Sequence, residues 1–571
     1  MKNKEVAVIF KRMAEMLEIK GENLFRIRAY ERAALNIENL AEDIALIAER
    51  DGLDNIPGIG KDLAQKITEI IETGTLKQYE AMKKEIPEGL MEIITIPGLG
   101  PRTAKNLFDT LHVTSVDELE HLAKEHKLQG LPGIKAKTEE NILKGIALYR
   151  QKLARMPLNT MLTLSREITR ELEKLEEVKK ISVAGSVRRQ KETIKDIDIL
   201  IISSAPENVM DFFTRLPQVE EIQAKGRTKS SIRTKEGVQV DLRVVDPECF
   251  GAALCYFTGS KEHNIRLREL AVKKGLKINE YGIFQGDLRI GGKEEKEVYG
   301  TVGLPFIPPE LREDRGEVEA ALNGTSPSLV ELRDIRGDLH VHSNYSDGSA
   351  TLAEIARKAE AMGLEWVAVC DHSQSLKVAG GVPVEKMKDK VREVKEFNRK
   401  SRKVKLLCGT EVDINNDGSL DYPDELLNEL DIVIAAIHSG FKQDEKTITN
   451  RIIKAMRHPR VHIIAHPTGR LIGEREPYPL TMDAIVEEAT RTNTALEINA
   501  YPQRLDLNDI YCRAAKNKGV KLGIGTDAHI LDQMEYLELG LSVARRGWLE
   551  KKDLLNCLNY NELIKTLKEL K

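Results

Sequence analysis

The sequence predicts a multidomain α/β chain: a helical N-terminal region, a mixed-sheet domain in the middle and a C-terminal βα-barrel. Three observations predict it. Over residues 1 to about 150, apolar positions recur at spacings of three and four, and glycine-containing turns punctuate the runs. From about 180 to 300, β-branched runs replace that period, at 181–185, 197–202 and 238–245. After Gly337, strand-like apolar runs at 338–342, 366–370, 405–410, 432–437, 462–465, 495–499 and 521–525 alternate with helical patterns.

A chain of 571 residues exceeds one hydrophobic core, and 41% apolar residues supply material for several. The net charge of -4 leaves nucleic-acid binding undecided, while 31% charged residues leave room for local basic surfaces beside acidic sites. Six cysteines, at 249, 255, 370, 408, 512 and 557, show no CxxC pair, so free thiols in a reducing cytoplasm are expected. The segment from Met1 is amphipathic and of mixed charge, and no apolar stretch is long enough for a bilayer; no export or membrane role is expected.

In the N-terminal region, Ile56-Pro57-Gly58-Ile59-Gly60-Lys61, Ile96-Pro97-Gly98-Leu99-Gly100-Pro101 and Leu131-Pro132-Gly133-Ile134-Lys135 each precede a helical run. The pattern is that of a helix-hairpin-helix element. Glycines at 58, 60, 98 and 100 let the backbone turn and bare amide donors at the next helix start, where a phosphate can bind without any base being read. Two full copies about forty residues apart point to DNA rather than to ordinary helix turns. The third, with Lys135 in place of a glycine, reads as a degenerate copy that packs.

In the middle domain, Asp196 and Asp198 lie two apart on a predicted strand, so both carboxylates emerge on one face, and Asp241 joins them from a neighbouring strand. Three converging acids need cations to stay ionised. Hard oxygen ligands suit Mg2+, and an ion pair roughly 3.5–4 Å apart would activate a hydroxyl and steady a leaving pyrophosphate. Upstream, Gly185-Ser186-Val187-Arg188-Arg189 supplies a strand, a turn and a helix start fit to hold a triphosphate.

In the C-terminal region, Asp338-Leu339-His340-Val341-His342 puts two imidazoles on one strand face. Asp347, His372, Glu411, His438, His466, Asp527 and His529 fall at or just beyond the ends of the other runs, where βα-barrels place their chemistry. Imidazole mixed with carboxylate suits zinc, manganese or iron. His458 and His462 lack that context and read as ordinary packing residues.

With Tyr256-Phe257-Thr258-Gly259-Ser260, Asn264 and Arg268, the acids and the glycine-serine turn resemble a nucleotidyltransferase palm and the nucleotide-selection segment of family X DNA polymerases. The resemblance covers residues 1 to about 318. It implies that Asp196, Asp198 and Asp241 are metal ligands, that Gly185, Ser186 and Arg189 meet the incoming triphosphate, and that Tyr256, Phe257, Gly259 and Asn264 line the nucleotide pocket. Arg268 would reach the template side, and Arg243 would change partners beside the acids. Phe25-Arg26-Ile27-Arg28-Ala29-Tyr30 resembles the small lyase domain of that family, with Lys66 at the position of its Schiff-base lysine and Tyr30 beside it. Such chemistry needs a neutral amine.

Residues 337–571, with Tyr345-Ser346-Asp347-Gly348, resemble the polymerase and histidinol phosphatase (PHP) domain, a distorted seven-stranded βα-barrel that binds three metals. The resemblance implies that Glu411 bridges two ions while Asp347, His372 and His529 hold the third, with Mn2+ or Zn2+ as the ions. Expected domains are 1–90 and 91–154, each with a hairpin turn, the palm at 155–247, nucleotide selection at 248–318, a linker at 319–336 and the barrel at 337–571. The expected function is short-gap filling in DNA repair, of the base excision type, with a metal-dependent 3′-5′ exonuclease and incision at abasic sites or 3′-end phosphatase activity as extensions. Expected partners are gapped or nicked double-stranded DNA and deoxynucleoside triphosphates, for a nucleoid-associated monomer. Two alternatives are a small-molecule phosphatase barrel fused to a DNA binder and a non-catalytic DNA-end scaffold.

Overall fold

The computed structural model describes residues 3–570 apart from 39, 41, 42, 51, 57 and 97. Pro57 and Pro97 of the first two turns thus lie outside the described residues. The N-terminal region is helical throughout its described length, from Asn3–Ile19 to Ala136–Ala154. In all three turns the central glycine takes a left-handed backbone, with φ of +80° at Gly58, +87° at Gly98 and +84° at Gly133. Each closes the same way: the amides of Ile59, Leu99 and Ile134 donate to the carbonyls of Ile56, Ile96 and Leu131 at 3.0 Å. Those six apolar side chains are buried, so the third turn keeps the geometry despite Lys135. An apolar contact, not the second glycine, sets the turn.

The palm sheet has five strands: β1 (Val178–Val183), β2 (Asp196–Ser203), β3 (Val219–Lys225), β4 (Lys229–Thr234) and β5 (Gln239–Val244), in the order β1-β2-β5-β4-β3. Only β2 and β5 run parallel, and that pairing sets Asp198 directly opposite Asp241. Ile197, Ile199 and Ile201 of β2 are fully buried in the palm core together with Met161 and Ile168 of helix Leu158–Glu173. Side chains of a strand alternate, so Asp196 and Asp198 are left on the opposite face. A small subdomain follows, with β6 (Lys277–Asn279), β7 (Gly282–Gln285) and β8 (Leu288–Gly291) beside helices Phe250–Thr258 and Lys261–Lys273.

The barrel strands are β9 (Gly337–Val341), β10 (Trp366–His372), β11 (Lys405–Asp413), β12 (Ile432–Ala436), β13 (Ile463–Ile464), β14 (Ala495–Asn499) and β15 (Leu522–Gly525). All neighbours are parallel and follow chain order. Beyond β15 the chain returns to β9, where the Asp527 amide donates to the His340 carbonyl at 2.8 Å and the His342 amide to that of Ala528 at 2.9 Å. The barrel is therefore nearly closed. Every residue of β9, β10, β12, β14 and β15 is buried, because helices cover one face and the barrel interior fills the other. That two-sided burial explains why these strands read as continuous apolar runs.

The stretch expected as a linker at 319–336 packs on its neighbours. Helix Glu317–Leu322 opens it, and the Val330 amide then donates to the Leu549 carbonyl at 3.1 Å. One contiguous apolar core runs from the palm into the barrel. Ion pairs ring that core: Arg470 with Glu192, Arg166 with Glu538, Arg315 with Asp509 and Arg545 with Glu310. No helix among the described residues is long and apolar enough to cross a membrane, and all six cysteines are buried free thiols.

Candidate active sites in the palm and the barrel

The palm site opens as a cavity of about 530 Å3 lined by Gly185, Ser186, Arg189, Asp196, Asp198, Tyr256, Phe257, Gly259, Asn264 and Arg268. Residues from four separate segments of the sequence thus converge. Gly185, at φ +61°, lets the turn lie against the acids: a Cβ there would stand 2.7 Å from Asp198 Oδ2. Gly259 does the same for the arginine, since a Cβ would meet Arg189 Nη1 at 3.0 Å. Arg189 donates from Nη1 to the Thr258 carbonyl at 2.5 Å and from Nε to Glu313 at 3.0 Å. Nη2 has no hydrogen bond among the described residues.

Burial, then the neighbouring Asp196 and Asp241, push the Asp198 carboxyl up to about 6. Asp241 accepts a hydrogen bond from Gln239 at 3.0 Å, and Lys229 and Arg243 stand 3.7 and 4.0 Å from its other oxygen. Arg243 also lies over the Phe257 ring, 4.5 Å from its centroid, with Nε buried and without a hydrogen-bond partner. Three converging carboxylates, two of which raise the pKa of Asp198, are a donor set that fits a divalent cation. Tyr256 and Phe257 pack edge to face at 5.1 Å, and Asn264 Nδ2 ties the Tyr256 carbonyl at 2.7 Å. Among the described residues Arg268 is held only through Nε to the Asn264 carbonyl, at 3.3 Å, and it lines the cavity. Arg155, Lys191, Lys195 and Lys261 also line it, basic residues that no sequence motif marks.

In the barrel the nine expected ligands form one cluster. Ligand atoms converge within metal-binding reach in three groups: His342 with Asp347, His372 and His529; His340 and His342 with Asp527; His372 with Glu411 and His438. Glu411 sits at the centre. Its Oε1 faces His466 at 2.8 Å and His438 at 3.2 Å, and its Oε2 faces His372, His340 and His342 at 2.9, 3.6 and 3.8 Å. Yet Glu411 Oε2 and Nδ1 of His342, His372 and His466 are buried with no aligned hydrogen bond. Buried polar atoms facing one another unsatisfied are what cations at the centre would resolve, so the residues present fit a metal cluster.

Outer residues aim the ligands. His340 Nδ1 meets Glu497 at 2.7 Å, His438 Nδ1 meets Asp413 at 2.7 Å, and His529 Nδ1 meets the Asp527 carbonyl at 2.8 Å, which leaves each Nε2 facing inward. Burial opposes protonation of His438 and His529, but Glu411 with Asp413 carries the first up to about 10, and Asp347 carries the second up to about 9. Burial and the neighbouring His529 and His372 press His342 down to about 4. His466 and Asp527 adopt left-handed φ of +27° and +55°, a strain characteristic of functional positions. The fully buried pair Lys390–Asp371, 2.6 Å apart, pins the loop that carries Asp347 through Ser343 and Ser346. Glu497 and Asp413 were legible as acids inside apolar strands; Arg504, 3.5 Å from Asp527, carried no signal.

His458 pairs with Asp424 and His462 packs with its Nδ1 accepting from the Val433 amide, both away from the cluster. The surroundings of Lys66 favour its charged form. Its Nζ lies 2.5 Å from Asp62 and 5.3 Å from the Tyr30 ring centroid. Burial favours the neutral form, but Asp62 and Tyr30 outweigh it and raise the pKa above the ordinary lysine value. Borohydride reduction on an incised abasic end is therefore expected to trap no Lys66 adduct; a trapped adduct mapped to Lys66 would show that the pair opens on binding.

The chain matches family models described as a helix-hairpin-helix domain over residues 1–76 and a SAM-like helix-hairpin-helix tandem over 90–147. It matches the DNA polymerase beta palm over 155–241, the DNA polymerase beta thumb over 253–313 and the PHP domain over 338–501. It is 39% identical over 573 aligned residues, covering all of both chains, to the DNA polymerase/3′-5′ exonuclease PolX of Bacillus subtilis strain 168. The barrel alone is similar to proteins named probable phosphatases. One from Thermoanaerobacter sp. strain X514 is 30% identical over 231 residues, which are 38% of this chain and 89% of the relative. Another from Clostridium acetobutylicum is 32% identical over 206 residues, 34% of this chain and 78% of the relative. With a full-length relative, a polymerase palm and thumb and a PHP barrel in one polypeptide, the chain belongs to the bacterial family X DNA polymerases that carry a PHP domain.

Proposed function

We propose that the chain adds nucleotides to the 3′ end of gapped or nicked DNA at the palm and hydrolyses 3′ ends, in the 3′-5′ direction, at the barrel. Short-gap filling in base excision repair is the setting proposed, with deoxynucleoside triphosphates as substrates and a nucleoid-associated cytoplasmic monomer as the form. The observation that carries the reading is the pair of donor sets, one of aspartates beside an anion cradle and one of imidazoles around Glu411. Mg2+ held by Asp196, Asp198 and Asp241, and Mn2+ or Zn2+ held by the nine barrel residues, would supply Lewis acidity and an activated oxygen nucleophile.

The remaining roles belong to side chains. Ser186 and Arg189 Nη2 hold triphosphate oxygens, and Lys191, Lys195 and Arg155 offset their charge. Tyr256, Phe257 and Asn264 seat the nucleotide, Arg268 faces the template, and Arg243, stacked on Phe257, changes partners beside Asp241. At the barrel, Arg504 beside Asp527 holds the scissile phosphate for attack by water. The exposed turns at Gly60 and Gly100, where a Cβ would meet nothing within 4 Å, grip DNA backbone. Incision at abasic sites and removal of 3′ phosphates are extensions of the same hydrolysis.

A second reading makes the barrel a small-molecule phosphatase, favoured by the coverage of the two probable phosphatases; hydrolysis of histidinol phosphate without any trimming of primer ends would establish it. On a gapped, end-labelled duplex, Asp198→Ala is expected to abolish extension and spare degradation, and His342→Ala to do the reverse. Loss of both activities in both variants would mean that one shared site does the work. Gly185→Ala, which forces the turn away from Asp198, is expected to slow single-turnover extension by roughly a hundredfold with degradation unchanged; an unaltered rate would remove the turn from the catalytic arrangement.

A further inference from the structure

The cradle arginine is not held by the palm alone. We propose that Arg546, at the end of barrel helix Leu537–Arg546, is a positioning residue for nucleotide addition, so that the nuclease barrel completes the triphosphate site of the polymerase half.

Arg546 reaches out of the barrel to two points of the cradle. Its Nη1 donates to the Arg189 carbonyl at 2.7 Å and to Glu313 Oε1 at 3.0 Å, the same oxygen that receives Arg189 Nε. Its Nη2 donates to Asp509 of the barrel at 2.8 Å, and Asp509 is also paired with Arg315. Arg189, Glu313 and Arg546 therefore form one chain of charges, anchored on the barrel side by Asp509. The side chains of Arg546, Glu313, Arg189 and Asp509 are 5, 11, 13 and 14% exposed, so water competes little for these bonds. Although burial pushes the Glu313 carboxyl up, Arg546, Arg189 and Lys191 carry it down to about 2.

The same helix makes a second contact one turn earlier. Ser542 Oγ lies 2.9 Å from Gln190 Oε1, and Gln190 holds the left-handed φ of +56° that ends the cradle turn. Positions four apart share a helix face, so Ser542 and Arg546 together clasp residues 189 and 190. Loss of the Arg546 guanidinium would strand the Arg189 carbonyl and leave Glu313 to draw harder on Arg189 itself. The Nη2 group aimed at the triphosphate would turn away, whereas Asp196, Asp198 and Asp241 would keep their places. Triphosphate affinity, not the chemical step, is what this geometry controls.

The inference rests on the palm being the site of nucleotide addition. Steady-state extension by the full chain with Arg546→Met is expected to raise the deoxynucleotide KM about tenfold, with kcat within about twofold of wild type and hydrolysis of single-stranded DNA unchanged. Asp509→Asn, which frees Arg546 at its anchor, is the milder variant and moves KM in the same direction; it carries the test alone if Arg546→Met fails to fold. Arg166→Met breaks a palm–barrel pair at Glu538, two turns before Arg546 on the same helix, without removing any bond to Arg189, Gln190 or Glu313, and is expected to leave KM alone. An unchanged KM in an Asp509→Asn or Arg546→Met enzyme that still extends overturns the proposal, as does an equal rise in Arg166→Met, which would reveal mere loosening of the domains. A wild-type protein that extends no primer would instead sink the polymerase reading.

Discussion

Carboxylates and imidazoles crowded together at two sites are the constraint on which this structure depends. In the palm the parallel pairing of β2 with β5 forces Asp198 against Asp241, and in the barrel β11 delivers Glu411 into histidines from the ends of four other strands. Neither arrangement is a low-energy way to bury charge. Like charges repel at the first site, and ring nitrogens and a carboxylate oxygen stay unsatisfied at the second. Folding can maintain both only because the surrounding cores are extensive and because cations relieve the conflict when they bind.

The two sites share a body. A continuous apolar core and a ring of ion pairs join palm to barrel, and one ion pair and two hydrogen bonds from the barrel end on the segment that forms the anion cradle: Arg470 on Glu192, Ser542 on Gln190 and Arg546 on the Arg189 carbonyl. Arg470 also donates to the carbonyl of Arg504, whose guanidinium stands beside Asp527. The polymerase cradle and the barrel mouth are therefore built on neighbouring parts of one interface, and the barrel supports the cradle.

Much of this was legible in the residues. Seven apolar runs marked the seven barrel strands because strands buried on both faces need apolar residues at nearly every position, and D-x-D at 196 and 198 marked one face of a strand because side chains alternate. The ligand residues were legible because acids and histidines at the ends of apolar runs have no packing role. What stayed hidden depends on tertiary approach. Arg546 reads as a basic residue in the last turn of an ordinary helix, and Arg155, Lys191 and Lys195 read as surface charge. The left-handed backbone at the third hairpin turn was masked by Lys135, since the burial of Leu131 and Ile134 that sets it is invisible in a glycine pattern. Asp62 sits four residues before Lys66, close enough to pair with it, but that the pair sits partly buried beside Tyr30 emerged only in three dimensions.

The most direct measurement is anomalous diffraction from a crystal soaked in Mn2+. Two separate sets of peaks are expected, one between Asp196, Asp198 and Asp241 and the other around Glu411. Density at only one of these places, or aspartate side chains pointing apart, would contradict the two-site account.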